Sequence, residues 1–285
     1  MSNYRRSLSK IVFLLFQASF IRAILYLITV YLRSEPTNLD ELIVTTLSYG
    51  YFIVFYSIIY LLSPMFNTIF DHLDAQNSKK AIVFLFLFFS IFPSLENVLC
   101  SFRVLGSDWS AISTITKRGG EEGYSIVNFF LCFFIGGYLK RFHTCTHKLS
   151  KKMLLLVLNS FLLFVWGSID WKSAWTYDNP LVILEAAFLL LIFADMSIKS
   201  KIVNELSISG FTCYLAHSFF LPFAKIEQYA SGPWYILTVH LLVTAILIYS
   251  ICYLIHKIYK LCFSAVGRRI APIIDKINVT IYPVK

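Results

Sequence analysis

The chain has 285 residues, of which 58% are hydrophobic, 17% aromatic and only 14% charged, whereas water-soluble domains carry about 25% charge. That composition excludes a soluble fold around one core. The formal charge of +9 does not gather into a stripe suited to nucleic acid; the basic residues alternate with apolar runs near the length of about 20 residues that a spanning helix needs.

These runs predict an all-α integral membrane protein, a polytopic bundle of about eight transmembrane helices, near residues 11–32, 45–63, 81–99, 124–139, 153–169, 180–198, 205–222 and 233–256. The first run follows Arg5, Arg6 and Lys10. It is too long for a signal-peptide apolar region and has no small-residue cleavage site, so it reads as a span. Along it Ser19, Arg22, Tyr26, Thr29 and Arg33 recur at helical spacing and share one face. Arg22 falls near mid-membrane, where an arginine costs about 2.5–3.5 kcal/mol on insertion scales and must face protein, water or a ligand. Ligand contact and a structural partner such as Glu96 or Glu185 both satisfy that requirement.

The second run carries Tyr49, Tyr56, Tyr60, Ser63 and Asn67 along a similar stripe. The fourth carries Ser125, Asn128, Cys132 and Gly136, and the seventh Ser207, Gly210, Tyr214 and His217. Polar stripes mark inward faces, serving either a ligand or helix-to-helix hydrogen bonding. Arg22, Tyr56, Asn128 and Tyr214 are the candidate pocket-lining residues. His217 and, on the eighth run, His240 are the candidate bases, because an imidazole titrates near neutrality; a helical histidine also serves simply to pack.

Short cytoplasmic loops carry an excess of Lys and Arg. Eighteen of the 25 lie on one side of the predicted spans, in residues 1–10, 79–80, 140–152, 199–201 and beyond 256. Both termini are therefore expected in the cytoplasm, with residues 1–256 forming one membrane domain and 257–285 a basic cytoplasmic tail. Arg268, Arg269 and Lys276 among isoleucines suit either a helix on the inner leaflet or a disordered tail. The six cysteines are scattered without a Cys-x-x-Cys pair, which indicates neither a zinc site nor a disulfide framework. His143, Cys145 and His147 alternate potential ligands but lack a fourth, and no metal is expected. The sequon Asn278-Val279-Thr280 falls on the expected cytoplasmic side, where glycosylation is not anticipated. No Walker loop, dinucleotide glycine fingerprint or nucleophile elbow is present in the sequence.

Three stretches share a further pattern. Gly123-Tyr124-Ser125-Ile126-Val127-Asn128 continuing to Gly136-Gly137-Tyr138-Leu139-Lys140-Arg141, the aromatic run from Tyr51 through Tyr60 to Ser63-Pro64 and Asn67, and Ser207 to Tyr214-Leu215-Ala216-His217 together resemble the membrane acyltransferase-3 family. The resemblance covers nearly the whole chain. It implies a membrane O-acyltransferase of about ten spans, loading acyl-coenzyme A (acetyl-coenzyme A first) as a co-substrate at the cytoplasmic face of the bacterial inner membrane. The acceptor it implies is a sugar hydroxyl of a surface polysaccharide such as O-antigen, with no permanently bound cofactor.

Arg5, Arg6 and Lys10 imperfectly match the family's basic motif and would meet the phosphates of coenzyme A; plain cytoplasmic charge explains them as well. The family's first span, with an arginine and the histidine considered catalytic, has no counterpart here. The expected partners are accordingly the bilayer, a glycan acceptor, and either a separate N-terminal hairpin or a second copy. Without that hairpin the chain would be inactive or would rely on His217 or His240. The alternative expectation is a membrane component that binds, polymerises or translocates lipid-linked glycan without acyl transfer. A polymerase would usually carry a longer outer loop with several arginines, whereas the 100–123 loop has only Arg103, Lys117 and Arg118. A purely structural membrane partner is the third reading.

Overall fold

In the computed structural model, which describes residues 8–34, 36–47, 50–101, 125–142, 148–196 and 199–281, every regular element among the described residues is helical. In chain order they are α1 (Leu8–Arg33), α2 (Leu39–Leu47), α3 (Tyr51–His72), α4 (Ala75–Phe86), which passes through a π turn (Leu87–Ile91) into α5 (Phe92–Ser101), α6 (Ile126–Phe142), α7 (Leu149–Ile169), α8 (Trp171–Ala174), α9 (Pro180–Asp195), α10 (Lys201–Ile208), α11 (Gly210–Phe220), α12 (Glu227–Ala230) and α13 (Trp234–Ile281). A hydrocarbon solvent forces each backbone group to find its partner within the protein, and apolar helices satisfy that locally.

Among the described residues, five helices are long and apolar enough to cross a membrane: Leu8–Arg33, Phe52–His72, Ala75–Glu96, Leu149–Ile169 and Trp234–Ser264. The α10–α11 pair, bent by 56° between Lys201–Ile208 and Gly210–Ala224, makes a sixth if counted as one span. The chain is thus an all-α, multi-pass membrane protein whose apolar helices associate with lipid. α6 and α9 are shorter, at 17 and 16 residues.

Two boundaries differ from the sequence reading. The second run was expected to end near residue 63, but α3 continues through Pro64 to His72. Pro64 cannot donate to the carbonyl of Tyr60, and the Ser63 hydroxyl does so instead, at 2.7 Å. Residues 45–47 of that run belong instead to α2, which starts where the Asn38 side chain accepts from Asp40 N (3.0 Å) and its carbonyl from Leu42 N (3.0 Å). α1 ends as Ser34 takes a left-handed conformation (φ 54°).

The described residues divide into two units, one from Phe55 to residue 196 and the other comprising those up to Val54 and from Lys199 onward. In the first, Phe66 of α3 meets Phe130, Phe133 and Phe134 of α6 at centroid distances of 5.1–5.6 Å. Arg141 closes that seam with a 2.7 Å bond to Asp71 and its guanidinium over the Phe70 ring. α7 and α9 are joined by Asn159, which donates to Glu185 (2.5 Å), and by a Lys152–Asp195 ion pair with the lysine 3% exposed. The segment after α7 is stapled by Asp170, which caps α8, and by Asn179, which caps α9 and donates to Ser173 O (3.1 Å).

In the second unit, Ile21 of α1, Ala216 of α11, and Ile248, Cys252 and Ile255 of α13 form the apolar core. α13 runs unbroken through residue 256, and Tyr259 and Phe263 pack on Phe20 of α1.

Candidate functional site

The polar face of α1 is a cavity wall. Arg22, Tyr26, Thr29 and Arg33 line a cavity of about 450 Å³ together with Glu41 and Thr45 of α2, and Leu215 and Ser218 of α11 complete it. That volume lies in the range of small-molecule sites, about 300–1,000 Å³. The cavity exists because α2 folds back against the end of α1: the Tyr26 hydroxyl accepts from Asn38 N (3.2 Å) and lies 3.1 Å from Asn38 O and 3.3 Å from Glu41 Oε2. Thr29 donates to Leu25 O (2.9 Å) and keeps its acceptor lone pairs.

Arg22 is half-buried, and its guanidinium reaches Gly50, where a Cβ would lie 3.8 Å from Nη2. Among the described residues it makes no hydrogen bond and no ion pair. Of the two structural partners considered from sequence, Glu185 is held by Asn159 (2.5 Å) and Ser160 (2.6 Å). A half-buried guanidinium without a carboxylate is a poor packing residue and a strong anion receptor, since it presents five donors in a fixed plane. Two cations and one carboxylate line the cavity, and that carboxylate, Glu41, is beside Tyr26.

The other candidate residues are distributed as follows. Tyr214 packs its ring on Phe52 at 4.7 Å and is not among the residues lining the cavity. His217, on the same helix, is also outside the lining; its Nδ1 lies 3.0 Å from Cys213 O and 2.9 Å from Tyr214 O. Carbonyls only accept, so Nδ1 donates to them and Nε2 is the ring nitrogen turned away from both. His240 is fixed the other way, with Nε2 2.8 Å from Ala224 O and Tyr229 stacked on the ring at 4.0 Å.

Tyr56 and Asn128 belong to the other unit. Tyr56 is 43% exposed and stacked on Tyr60. Asn128 is 5% exposed and donates to Tyr177 O (3.0 Å), which ties α6 to the segment between α8 and α9. Lys10 is exposed on the first turn of α1. Arg5, Arg6, the His143–His147 triplet and most of the 100–123 loop lie outside the described residues.

One polar group escaped the sequence reading. Gln17 of α1 donates to Thr212 of α11 (2.9 Å), and Thr212 Oγ1 lies 3.2 Å from Nδ1 of His256 on α13, a histidine 8% exposed. The chain of contacts crosses three helices far apart in sequence, and no spacing rule within one helix signals it.

Comparison of the chain with protein-family models, with curated proteins and with solved structures finds no match in any of the three.

Proposed function

We propose that the chain is an O-acyltransferase of the acyltransferase-3 type in the bacterial inner membrane, moving an acyl group from acyl-coenzyme A to a sugar hydroxyl of a surface polysaccharide. The observation that carries this reading is the meeting of two stretches that the resemblance marks separately. Phe52 of the 51–67 stretch packs its ring on Tyr214 of the 207–217 stretch, on the helix whose Leu215 and Ser218 wall the Arg22 cavity. Three further features support it: the motif order along the chain, the charge asymmetry of the loops, and the orientation of His217, whose Nδ1 meets two backbone carbonyls while Nε2 is turned away from them.

In this reading α6 and α9 also cross the bilayer, giving eight crossings with both termini in the cytoplasm. Helices of 17 and 16 residues rise about 24–26 Å, and the membrane thins to meet them. Arg5, Arg6 and Lys10 then lie at the cytoplasmic mouth and pair with coenzyme A phosphates. The acceptor hydroxyl oxygen attacks the thioester carbonyl carbon, a base takes its proton, and the carbonyl–sulfur bond breaks to release coenzyme A. The base is either a histidine supplied by an accompanying N-terminal hairpin or His217.

The test is transfer of radiolabelled acetyl from acetyl-coenzyme A to envelope glycan, in membranes expressing this chain with and without a coexpressed acyltransferase-3 hairpin. Transfer by the chain alone that is lost in His217→Gln assigns the base to His217, and transfer only with the hairpin assigns it to the hairpin. No transfer in either preparation refutes the reading. Arg22, which has no ion pair among the described residues, also favours the alternative of a component that binds or translocates lipid-linked glycan, which retained glycan binding without transfer would select.

A further inference from the structure

We propose that the α1–α2–α11 cavity binds a phosphate or carboxylate borne on a hydroxyl-rich body such as a sugar, with Arg22 pairing the charge and the hydroxyls of Thr29, Thr45 and Ser218 meeting the body. The charge assignment rests on position. Arg22 sits 14 residues after the start of α1 and 11 before Arg33, hence about 16 Å from that end of the helix. A cation at that depth without a protein partner is satisfied by an anion that enters the cavity. Glu41 does not neutralise it, because no ion pair joins the two among the described residues.

The hydroxyl assignment rests on unused capacity. Among the described residues the Thr45 and Ser218 side chains have no hydrogen-bond partner, and both line the cavity. Thr29 retains its lone pairs. Leu25, Val30 and Phe219 supply apolar wall, against which the C–H face of a sugar ring packs. The cavity extends from Arg22 to the α2 end of α1, so the ligand's charge lies deep and its remainder lies toward that end.

A lipid headgroup and a free sugar phosphate share this chemistry, and the experiment separates them. The purified full chain is placed in nanodiscs containing phosphatidylinositol and phosphatidylcholine, and retained lipid is counted by mass spectrometry. In parallel, equilibrium binding of radiolabelled glucose 1-phosphate is measured. Enrichment of phosphatidylinositol, binding of glucose 1-phosphate, or both support the site and name its source. In the supported case Arg22→Gln weakens binding about ten- to hundred-fold, as loss of a charged hydrogen bond does. Arg22→Lys, which keeps the charge and guards against a folding failure in the first variant, stays within about ten-fold of the parent. Enrichment in neither arm by a folded parent overturns the proposal, as does binding that Arg22→Gln leaves unchanged. Anion binding here requires no acyl chemistry, so the acetyl-transfer assay can fail while this one succeeds.

Discussion

The ion pair between Lys152 and Asp195 permits a quantitative test of how α7 and α9 are joined. The lysine side chain is 4% exposed and the aspartate 18%. Removing one partner of a buried pair costs about 3–5 kcal/mol, because the buried charge that remains loses its counter-charge, whereas replacing both by apolar residues is close to neutral. The two single variants should differ. Lys152→Met leaves a carboxylate that still reaches some water, which places it near 3 kcal/mol. Asp195→Asn leaves an almost inaccessible ammonium, which places it near 5 kcal/mol. At about 2–4 °C per kcal/mol, thermal unfolding in detergent followed by circular dichroism should show losses of roughly 6–12 °C and 10–20 °C. Lys152→Met/Asp195→Leu should recover most of either loss. Single-variant losses below about 1 kcal/mol, or a double variant worse than both singles, would refute the assignment of this pair as the clamp.

Ser63→Ala should cost about 0.5–1.5 kcal/mol by removing the hydroxyl bond to the Tyr60 carbonyl, and Ser63→Ala/Pro64→Ala should restore it through the recovered backbone N–H; a double variant no better than the single rejects the compensation. Gly137→Ala would put a Cβ 2.8 Å from the ring of Phe70, itself 3% exposed, and should cost about 1–3 kcal/mol, partly recovered by Phe70→Leu in the same unfolding assay. A single cysteine replacing Lys148 should react with a membrane-impermeant maleimide only in inverted vesicles, and one replacing Lys172 or Lys225 only in intact cells. The reverse pattern overturns the proposed orientation.

Part of this was readable from one helix at a time. The spacing of Arg22, Tyr26, Thr29 and Arg33 depends only on the 3.6-residue period, and those four do share the cavity wall. The opposite wall was not readable. The apolar windows assign no element to residues 39–44, although Asn38 followed by Asp40 and Glu41 is a helix start signal. The apolar window ends at residue 63 because Asn67, Asp71 and His72 lower its hydropathy, whereas the helix itself continues to His72. Tyr56 and Asn128 were grouped with Arg22 on the shared appearance of polar stripes, yet a stripe says which way a helix faces and not which helix it faces. The Gln17–Thr212–His256 contacts depend on three distant segments meeting, which a single sequence does not encode in any local pattern.

The length of α13 has a mechanical consequence. At 48 residues it rises about 72 Å, against an apolar bilayer thickness of about 30 Å. Between intact turns a helix twists as one shaft. Pro272 is its one interior proline, and the missing backbone bond there introduces slack. A torque applied between Lys257 and Ala271 is therefore delivered to Cys252 and His256, and through the Thr212 contact to α11, whereas a torque applied beyond Pro272 is partly absorbed. A tether or bulky fusion joined at the far end would thus disturb the membrane portion less than one inserted near Gly267, where the shaft bears on Phe13 of α1.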